Sequence, residues 1–152
     1  MIVRLATDSD CKQVLGLLNQ LGEIINEFVH FDPDNTRVLE LGRENYHAAI
    51  KREDRLIFLV EDEGKILGVA TFFILIDFMS GRPFAHIDDF IVEKNHRGEG
   101  IGTMMLEHIK MYAKSIGIHV IELTSSLPLT KAHAFYESRG GKFGRKVIKF
   151  EL

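Results

Sequence analysis

The stretch from His86 to Gly117 constrains the fold of this 152-residue chain more than any other part of the sequence. It begins with a short run of apolar and β-branched residues typical of a strand, then passes through a polar loop rich in glycine. After the loop, apolar residues recur three or four positions apart, at Ile101, Met104, Met105, Ile109, Tyr112 and Ala113. The sequence therefore predicts a strand, a tight loop and a helix that ends at Gly117.

The loop between this strand and this helix has the residues that a phosphate group needs. The first N–H groups of a helix have no intrahelical partner, so they can bind an anion without a dedicated side chain. Gly100 and Gly102 let a phosphate approach the main chain, and Arg97 adds a positive charge. The P-loop motif is absent, and the first glycine of the dinucleotide fingerprint is missing. We interpret the loop as a diphosphate site, with an ordinary surface turn as the alternative.

Hydrophobic patterning predicts strands and helices in mixed order along the whole chain. Strands are predicted at 2–6, 56–61, 66–76, 84–92, 118–125 and 147–152, and helices at 9–21, 36–51, from 101 up to Gly117, and from 128 or 129 to 139. The run 118–125 is almost wholly apolar, which is typical of a central strand covered on both faces. The length suits a single domain, residues 1–152, with an α/β mixed sheet and helices on both faces.

Composition excludes several classes of function. The net charge of −3 gives no basic surface for nucleic acid. The single cysteine, Cys11, excludes a disulfide framework, and the seven scattered histidines give no reason to expect a metal site. Arg4 and Asp8 interrupt the N-terminal apolar run, so we expect no signal peptide, and no run of eighteen apolar residues suggests a membrane span. A cytoplasmic protein without nucleic-acid or membrane partners is expected.

The run Arg97-Gly98-Glu99-Gly100-Ile101-Gly102 resembles the [RQ]-x-x-G-x-[GA] signature of the GNAT superfamily of acyl-coenzyme A N-acyltransferases. The strand before the loop and the segment AHAFYESRG after it sit where that superfamily has its other signatures, so the resemblance covers most of the chain. It implies about six to seven mostly antiparallel strands, with a parallel pair at a splayed centre. It also implies that acetyl-coenzyme A is the co-substrate and that the diphosphate lies on residues 97–103, namely Arg97, Gly98, Glu99, Gly100, Ile101, Gly102 and Thr103.

Further coenzyme contacts follow from the same resemblance. The strand residues Phe90, Ile91 and Val92 would pair through their backbone with the pantetheine arm, as an added strand does. An ordinary buried strand explains these three residues equally well. The remaining contacts implied are Ser125, Ala132 and His133. The chain departs from the superfamily pattern at Leu129, where Asn is common, and at Gly141, where Phe is usual.

Two adjacent acids interrupt the apolar strand before the loop. Strict alternation predicts that His86, Asp88 and Phe90 share one face and that Ile87, Asp89 and Ile91 share the other. A charge inside a sheet is costly unless it is paired or faces a wet cleft. In one interpretation, one acid faces solvent and the other caps a loop. In the other, Asp88 accepts a proton from the acceptor ammonium, directly or through water, while Asp89 is structural and His86 is a fallback base. The acid-acid-apolar run resembles that of polyamine and amino-sugar acetyltransferases.

Tyr136 is the candidate general acid. On the helix predicted at 128–139, Ala132, Tyr136 and Arg139 share one stripe. A tyrosine there could simply fill the core. The resemblance decides for catalysis, because A-x-x-x-Y-E-x-x-G is similar to the superfamily segment whose tyrosine returns a proton to the departing thiolate.

The sequence thus predicts an N-acetyltransferase that moves acetyl from acetyl-coenzyme A to a primary amine of a small molecule, by direct attack in a ternary complex. Scattered acidic residues hint at a cationic amine. The alternatives are an acyl-coenzyme A sensor or structural module without transfer activity, and an acetyltransferase that acts on protein N-termini or lysines. Dimers are common among similar proteins, so a homodimer is compatible with the resemblance.

Overall fold

The structure is a computed structural model that describes residues 1–27 and 35–144, with the backbone alone for residues 35–41. The strands are β1 (Ile2–Leu5), β2 (Arg55–Asp62), β3 (Lys65–Asp77), β4 (Arg82–Val92) and β5 (Ile121–Leu123). The α-helices are α1 (Cys11–Asn26), α2 (Asn35–Ala49), α3 (Ile101–Ser115) and α4 (Thr130–Ser138). Short 3₁₀ turns precede α1 and α3, at Asp8–Asp10 and Lys94–His96.

The described strands form one mixed sheet in the order β1-β2-β3-β4-β5. The first four are antiparallel neighbours, and β5 runs parallel to β4. The predicted α/β fold with one parallel pair is confirmed. Five strands are described where about six to seven were predicted, and the predicted strand 147–152 lies outside the described residues.

Helices cover both faces of the sheet and enclose two hydrophobic cores. The core on the α3 side is built around Phe58, Phe72, Ile87, Met105 and Ile109. The core on the α1 side contains Cys11, Val14, Leu17, Leu59, Val69 and Ile91. Neighbouring residues of one strand, such as Phe58 and Leu59, enter opposite cores, because successive side chains of a strand point to opposite faces of the sheet. The prediction of helices on both faces is confirmed.

Two predicted element boundaries are wrong. Helix α1 continues to Asn26, past the predicted end at Leu21, because Ile24 extends the apolar face and packs on the α1-side core. Strand β5 has only three residues, all half-buried, where an eight-residue buried strand was predicted. Pairing with β4 stops at Leu123, so the apolar residues around it are not held in a longer strand.

Asp10 is the only buried charged side chain among the described residues. The Arg4 guanidinium donates to both of its carboxylate oxygens, at 2.7 and 2.8 Å. The Thr7 N–H and hydroxyl each donate to Oδ2 at 2.8 Å. These bonds, with Arg4 first, hold the pKa of Asp10 well below its ordinary value. The bonded carboxylate fixes the turn that starts α1 to the end of β1.

Asp10→Asn is expected to lower the free energy of unfolding by about 2 kcal/mol at pH 7. The folded-state pKa of Asp10 is depressed, so its stabilisation is full above the unfolded pKa near 3.9 and is lost as the pH falls through the lower folded value. Urea unfolding at pH 7 and at pH 3 should therefore show a smaller difference between variant and wild type at pH 3. The control is Asp54→Asn, which breaks an exposed pair with Arg52 and should cost little. Equal stability of Asp10→Asn and wild type at pH 7 would contradict the account.

Candidate active site

A cleft of about 1250 Å³ opens where the two parallel strands separate. Pairing between β4 and β5 runs from Ala85 and Ile121 to Ile87 and Leu123 and then stops, although β4 continues to Val92. The diverging segments 88–92 and 124–126 form two walls of the cleft. The last turns of α1, the start of α3 and the inner face of α4 complete it. The splayed central strands expected from the sequence therefore form this cleft.

A β-bulge shapes the wall that β4 contributes. Ala70 lies opposite Phe90 and Phe72 lies opposite Ile87, so the single residue Thr71 faces two residues of β4. The Thr71 hydroxyl accepts the Asp89 N–H at 2.9 Å and donates to Asp89 Oδ2 at 2.9 Å. The Thr71 side chain on β3 thus provides hydrogen-bond partners for the bulged segment of β4.

The bulge makes the predicted alternation of β4 wrong. Ile87 and Phe90 both pack in the α3-side core, whereas Ile91 packs in the α1-side core. Ile87 and Ile91 were predicted to share a face, but the extra residue in the bulge shifts the phase of the strand by one. Thr71 carried the signal for this feature, since it is the only polar residue in the run from Ile66 to Ile76.

The two acids of the bulge both line the cleft but lie in different surroundings. The Asp88 side chain is 63% exposed, and its Oδ1 lies 3.8 Å from His86 Nε2. Asp89 is half-buried, and its burial raises the pKa of the carboxyl while the Thr71 hydrogen bond opposes that shift. His86 is not among the described residues that line the cleft. Asp88 therefore offers an accessible carboxylate, and Asp89 a carboxyl held by the fold.

Thr71→Val is expected to lower the free energy of unfolding by about 2 kcal/mol, because it leaves the Asp89 N–H and carboxyl without the Thr71 hydroxyl. Valine has nearly the same shape, so the loss reports the hydrogen bonds. The matched control is Thr71→Ser, which keeps the hydroxyl and should stay closer to wild type. Urea unfolding of both variants tests this, and a serine variant as unstable as the valine variant would refute it.

The glycine loop leads into α3 in the conformation that an anion site requires. Gly98 and Gly100 have φ angles of 89° and 83°, in the left-handed region that glycine adopts freely. Gly100 is the N-cap of α3, and its carbonyl accepts the Met104 N–H at 3.0 Å as the first helical bond. The first N–H groups of a helix have no intrahelical partner, and here they belong to residues 101–103, which line the cleft. The backbone there is ready to bind an anion.

The start of α3 packs closely against β4 and α4. A Cβ at Gly102 would lie 3.4 Å from Phe135 Cζ and 3.6 Å from both Phe90 Cε1 and Val92 Cγ2, in ordinary van der Waals contact. The Arg97 Nε donates to the Val92 carbonyl at 3.0 Å, which fixes the guanidinium beside the end of β4. Of the predicted loop residues, all but Glu99 line the cleft: Arg97, Gly98, Gly100, Ile101, Gly102 and Thr103.

The helix α4 brings Tyr136 to the cleft. Its ring packs edge to face on Phe90, with centroids 6.0 Å apart, and burial raises its pKa to about 12. The phenol therefore stays protonated at neutral pH. The Gly141 N–H donates to the Tyr136 carbonyl at 2.9 Å, and a Cβ at position 141 would lie only 2.9 Å from that oxygen. Glycine rather than phenylalanine at 141 thus has a local steric reason.

The structure places the other predicted contacts in two groups. Phe90, Ile91, Val92, Ser125 and Ala132 line the cleft. His133 does not line it, because its ring packs edge to face on Phe143 with centroids 5.3 Å apart. Its buried Nε2 has no hydrogen-bond partner among the described residues. Ala132 and His133 are neighbours in sequence, but the helix turns only the first toward the cavity.

Both signs of charge line the cleft. The basic side chains are Lys94 and Arg97, beside or within the glycine loop, Arg139, which donates to the Thr103 hydroxyl, and Lys131 on α4. Acidic side chains lie along α1 and the bulge: Glu23, Glu27, Asp88 and Asp89. Glu93 is an acid that accepts the Asn95 N–H at 3.0 Å and caps a short helical turn before the glycine loop. The cavity can hold an anion near the glycine loop and a cation beside its acidic side chains.

Part of the acidic wall was not predicted from the sequence. The last turns of α1 contribute Gln20, Glu23 and Ile24, and the C-cap residue contributes Glu27; most of these lie beyond the predicted end of that helix. The signal was the continued apolar spacing of Leu21, Ile24 and Ile25. The described residues contain no group of three or more potential metal ligands. In the same part of the chain, no helix is long and apolar enough to cross a membrane.

A family model and a known protein match this chain in sequence. The model of the acetyltransferase (GNAT) family matches residues 20–141. A glucosamine 6-phosphate N-acetyltransferase from Trypanosoma brucei brucei is 29% identical over 97 residues, which are 63% of this chain and 64% of that protein. The chain thus spans slightly less than two thirds of that relative.

Solved structures share the architecture over the full length. A Bacillus halodurans protein, solved as a tetramutant, superposes with a TM-score of 0.83 at 26% identity and covers all of both chains. An aminoglycoside acetyltransferase from a soil metagenome, in complex with sisomicin, superposes with a TM-score of 0.75 at 21% identity. The match covers 99% of this chain and 94% of that protein chain. The second likeness concerns the fold alone.

Proposed function

The chain belongs to the acetyltransferase (GNAT) family, and from this premise we propose that it transfers acetyl from acetyl-coenzyme A to a primary amine of a small cationic molecule. The amine attacks the thioester directly while both substrates are bound. The observation that carries the proposal is the start of α3, where two left-handed glycines lead into a helix N-terminus that lines a cleft large enough for both substrates.

The coenzyme would lie between the glycine loop and the end of β4. The helix start and the basic residues Arg97 and Arg139 suit its diphosphate. Beyond Ile87, β4 has no pairing with β5, so the backbone of Phe90, Ile91 and Val92 can pair with the amides of the pantetheine arm. When bound, the coenzyme supplies an activated acyl thioester.

Asp88 is the proposed base, acting directly or through a water molecule. Its carboxylate is exposed in the cleft, where an ammonium would be attracted. Removing a proton from that ammonium produces the neutral amine that can attack the thioester carbon. A protonated His86, whose Nε2 lies 3.8 Å from Asp88 Oδ1, can stabilise the Asp88 carboxylate. Asp89, bound to Thr71, has a structural role in this scheme.

Tyr136 is the proposed acid. Its raised pKa of about 12 keeps the phenol protonated, so it can donate to the sulfur as the carbon–sulfur bond breaks. A free thiol has a pKa of about 8.5, so transfer of the proton to a fully formed thiolate would be uphill by roughly three to four pKa units. The phenol therefore acts chiefly as a hydrogen-bond donor to the developing charge, and the thiolate takes its proton from solvent.

The acceptor is proposed to be a cation without a phosphate. A relative in sequence is named for glucosamine 6-phosphate, and a protein of the same fold is named for aminoglycosides. In the described part of the cleft, the carboxylates of Glu23, Glu27 and Asp88 suit additional ammonium groups. A polyamine or an aminoglycoside fits this charge pattern better than a phosphosugar.

A panel of amines in a thiol-release assay tests the acceptor. We expect kcat/KM for spermidine or an aminoglycoside to exceed that for glucosamine 6-phosphate by about tenfold or more. Asp88→Asn should lower kcat/KM for the preferred amine by about 100-fold. The control is Asp54→Asn, an exposed acid outside the cleft, which should leave turnover unchanged. A chain that binds acetyl-coenzyme A but releases no thiol with any amine would be a sensor rather than a transferase.

A further inference from the structure

The C-cap residue of α4, Arg139, is bonded to α3 at two points. Its guanidinium donates through Nε and Nη2 to the Thr103 hydroxyl in the first turn of α3, at 3.3 and 3.0 Å. Its carbonyl accepts from Lys110 Nζ, further along the same helix, at 3.4 Å. In the part of the chain that the structure describes, these are the side-chain hydrogen bonds that join α4 and its C-cap to other elements. Arg139 therefore anchors α4 to α3.

The packing of α4 on the rest of the protein is shallow. No residue from Thr130 to Ser138 is fully buried. The rings of Phe135 and Tyr136 both contact Phe90 on β4, with centroids 6.0 Å apart in each pair. The Arg139 guanidinium lies over the Phe135 ring, 6.0 Å from its centroid. A helix with so little buried surface depends on these contacts to keep its position.

The anchor at Arg139 is directly connected to Tyr136. The Arg139 N–H donates to the Tyr136 carbonyl at 3.0 Å, in the last turn of the helix. Residues three apart are neighbours on a helix surface, and both of these side chains line the cleft. A movement of α4 away from α3 would therefore carry the phenol with it. A displacement of about 1 Å in a reacting group can cost about 100-fold in rate.

We propose that Arg139 is a positioning residue: by its bonds to Thr103 it locks α4 against the start of α3 and holds the Tyr136 phenol at the sulfur of the coenzyme. This role rests on the proposed function, which makes Tyr136 the donor to that sulfur. The lock also connects two parts of the site, because Thr103 belongs to the helix start proposed to bind the diphosphate.

Arg139→Lys separates the lock from the charge. A guanidinium can lie on an aromatic ring and donate two N–H groups in its own plane, whereas an ammonium is a point charge on a flexible stem. We expect the dissociation constant of acetyl-coenzyme A to stay within about threefold of wild type, because the charge remains. The kcat should fall about tenfold. The matched control is Arg52→Lys, an exposed arginine paired with Asp54 outside the cleft, which should leave both quantities unchanged.

Fluorine NMR of the full chain labelled with meta-fluorotyrosine reports the position of the phenol without any turnover. The chain has three tyrosines, Tyr46, Tyr112 and Tyr136, so three resonances are expected. Arg139→Lys and Thr103→Val should each shift or broaden the Tyr136 resonance and leave the other two in place. The double variant should resemble either single variant, because both substitutions break the same bonds. Thr103→Ser keeps the hydroxyl and should give the wild-type spectrum.

A Tyr136 resonance that is unchanged in Arg139→Lys and Thr103→Val would overturn the proposal. A shifted resonance with wild-type kcat would also overturn it, because the lock would then not serve transfer. Equal losses of kcat and of coenzyme affinity would make Arg139 a coenzyme contact alone, which contradicts the positioning role. A wild type that releases no thiol would instead refute the proposed function, and the resonances, which need no turnover, would still decide whether Arg139 places Tyr136.

Discussion

Tyr136→Phe is expected to lower kcat by about 100-fold or more while leaving the dissociation constant of acetyl-coenzyme A within about a factor of three. The phenol is the proposed donor to the departing sulfur, and phenylalanine keeps the ring that packs on Phe90. Thiol release under saturating amine gives kcat, and calorimetric titration gives the affinity. The control is Tyr112→Phe, a tyrosine in the α3-side core that does not line the cleft.

Unchanged turnover of Tyr136→Phe would remove Tyr136 from the mechanism. Loss of coenzyme binding together with turnover would instead assign it a role in the shape of the cleft. The Tyr112→Phe variant guards against a general effect of losing a hydroxyl on folding, since it should retain wild-type kcat.

Gly100→Asp is expected to weaken acetyl-coenzyme A binding by about 100-fold or more. The new carboxylate would stand at the N-cap of α3, where the diphosphate is proposed to lie, and like charges repel strongly in a partly enclosed site. Nothing lies within 4 Å of the added Cβ, so the loss would not come from a clash. Calorimetric titration with coenzyme A measures the affinity directly.

Gly117→Asp is the matched control for this variant. Gly117 lies at the other end of the same helix, has a φ of 79° and also has open space around an added Cβ. Both substitutions therefore force an L-residue into the left-handed region, and only the one at 100 places charge beside the cleft. Similar coenzyme affinities of the two variants would refute the diphosphate site.

The sequence predicted the features that depend on neighbouring residues. The loop at 97–103 and the helix after it follow from spacing within short segments, and the resemblance to the superfamily pointed to Tyr136. The tilt of His133 away from the cleft was not predictable, because its ring is placed by Phe143, ten residues further on. Resemblance to a superfamily marked a segment that lines the cleft, but not which way each side chain of that helix points.

The features that the sequence did not predict depend on contacts between distant segments. The bulge in β4 arises because Thr71 of β3 binds Asp89, eighteen residues away, and period-two reasoning along one strand cannot include it. Strand β5 is short because β4 turns away from it after Ile87, which apolar composition does not report. The acidic wall depends on the last turns of α1, whose length is set by packing of Ile24 on the sheet.

The most direct test of the account is a crystal structure of this chain with coenzyme A. The account predicts diphosphate oxygens within about 3.2 Å of backbone nitrogens at the start of α3, and the thiol end between Asp88 and Tyr136. A coenzyme whose diphosphate binds elsewhere in the fold, with those nitrogens unoccupied by it, would contradict the account.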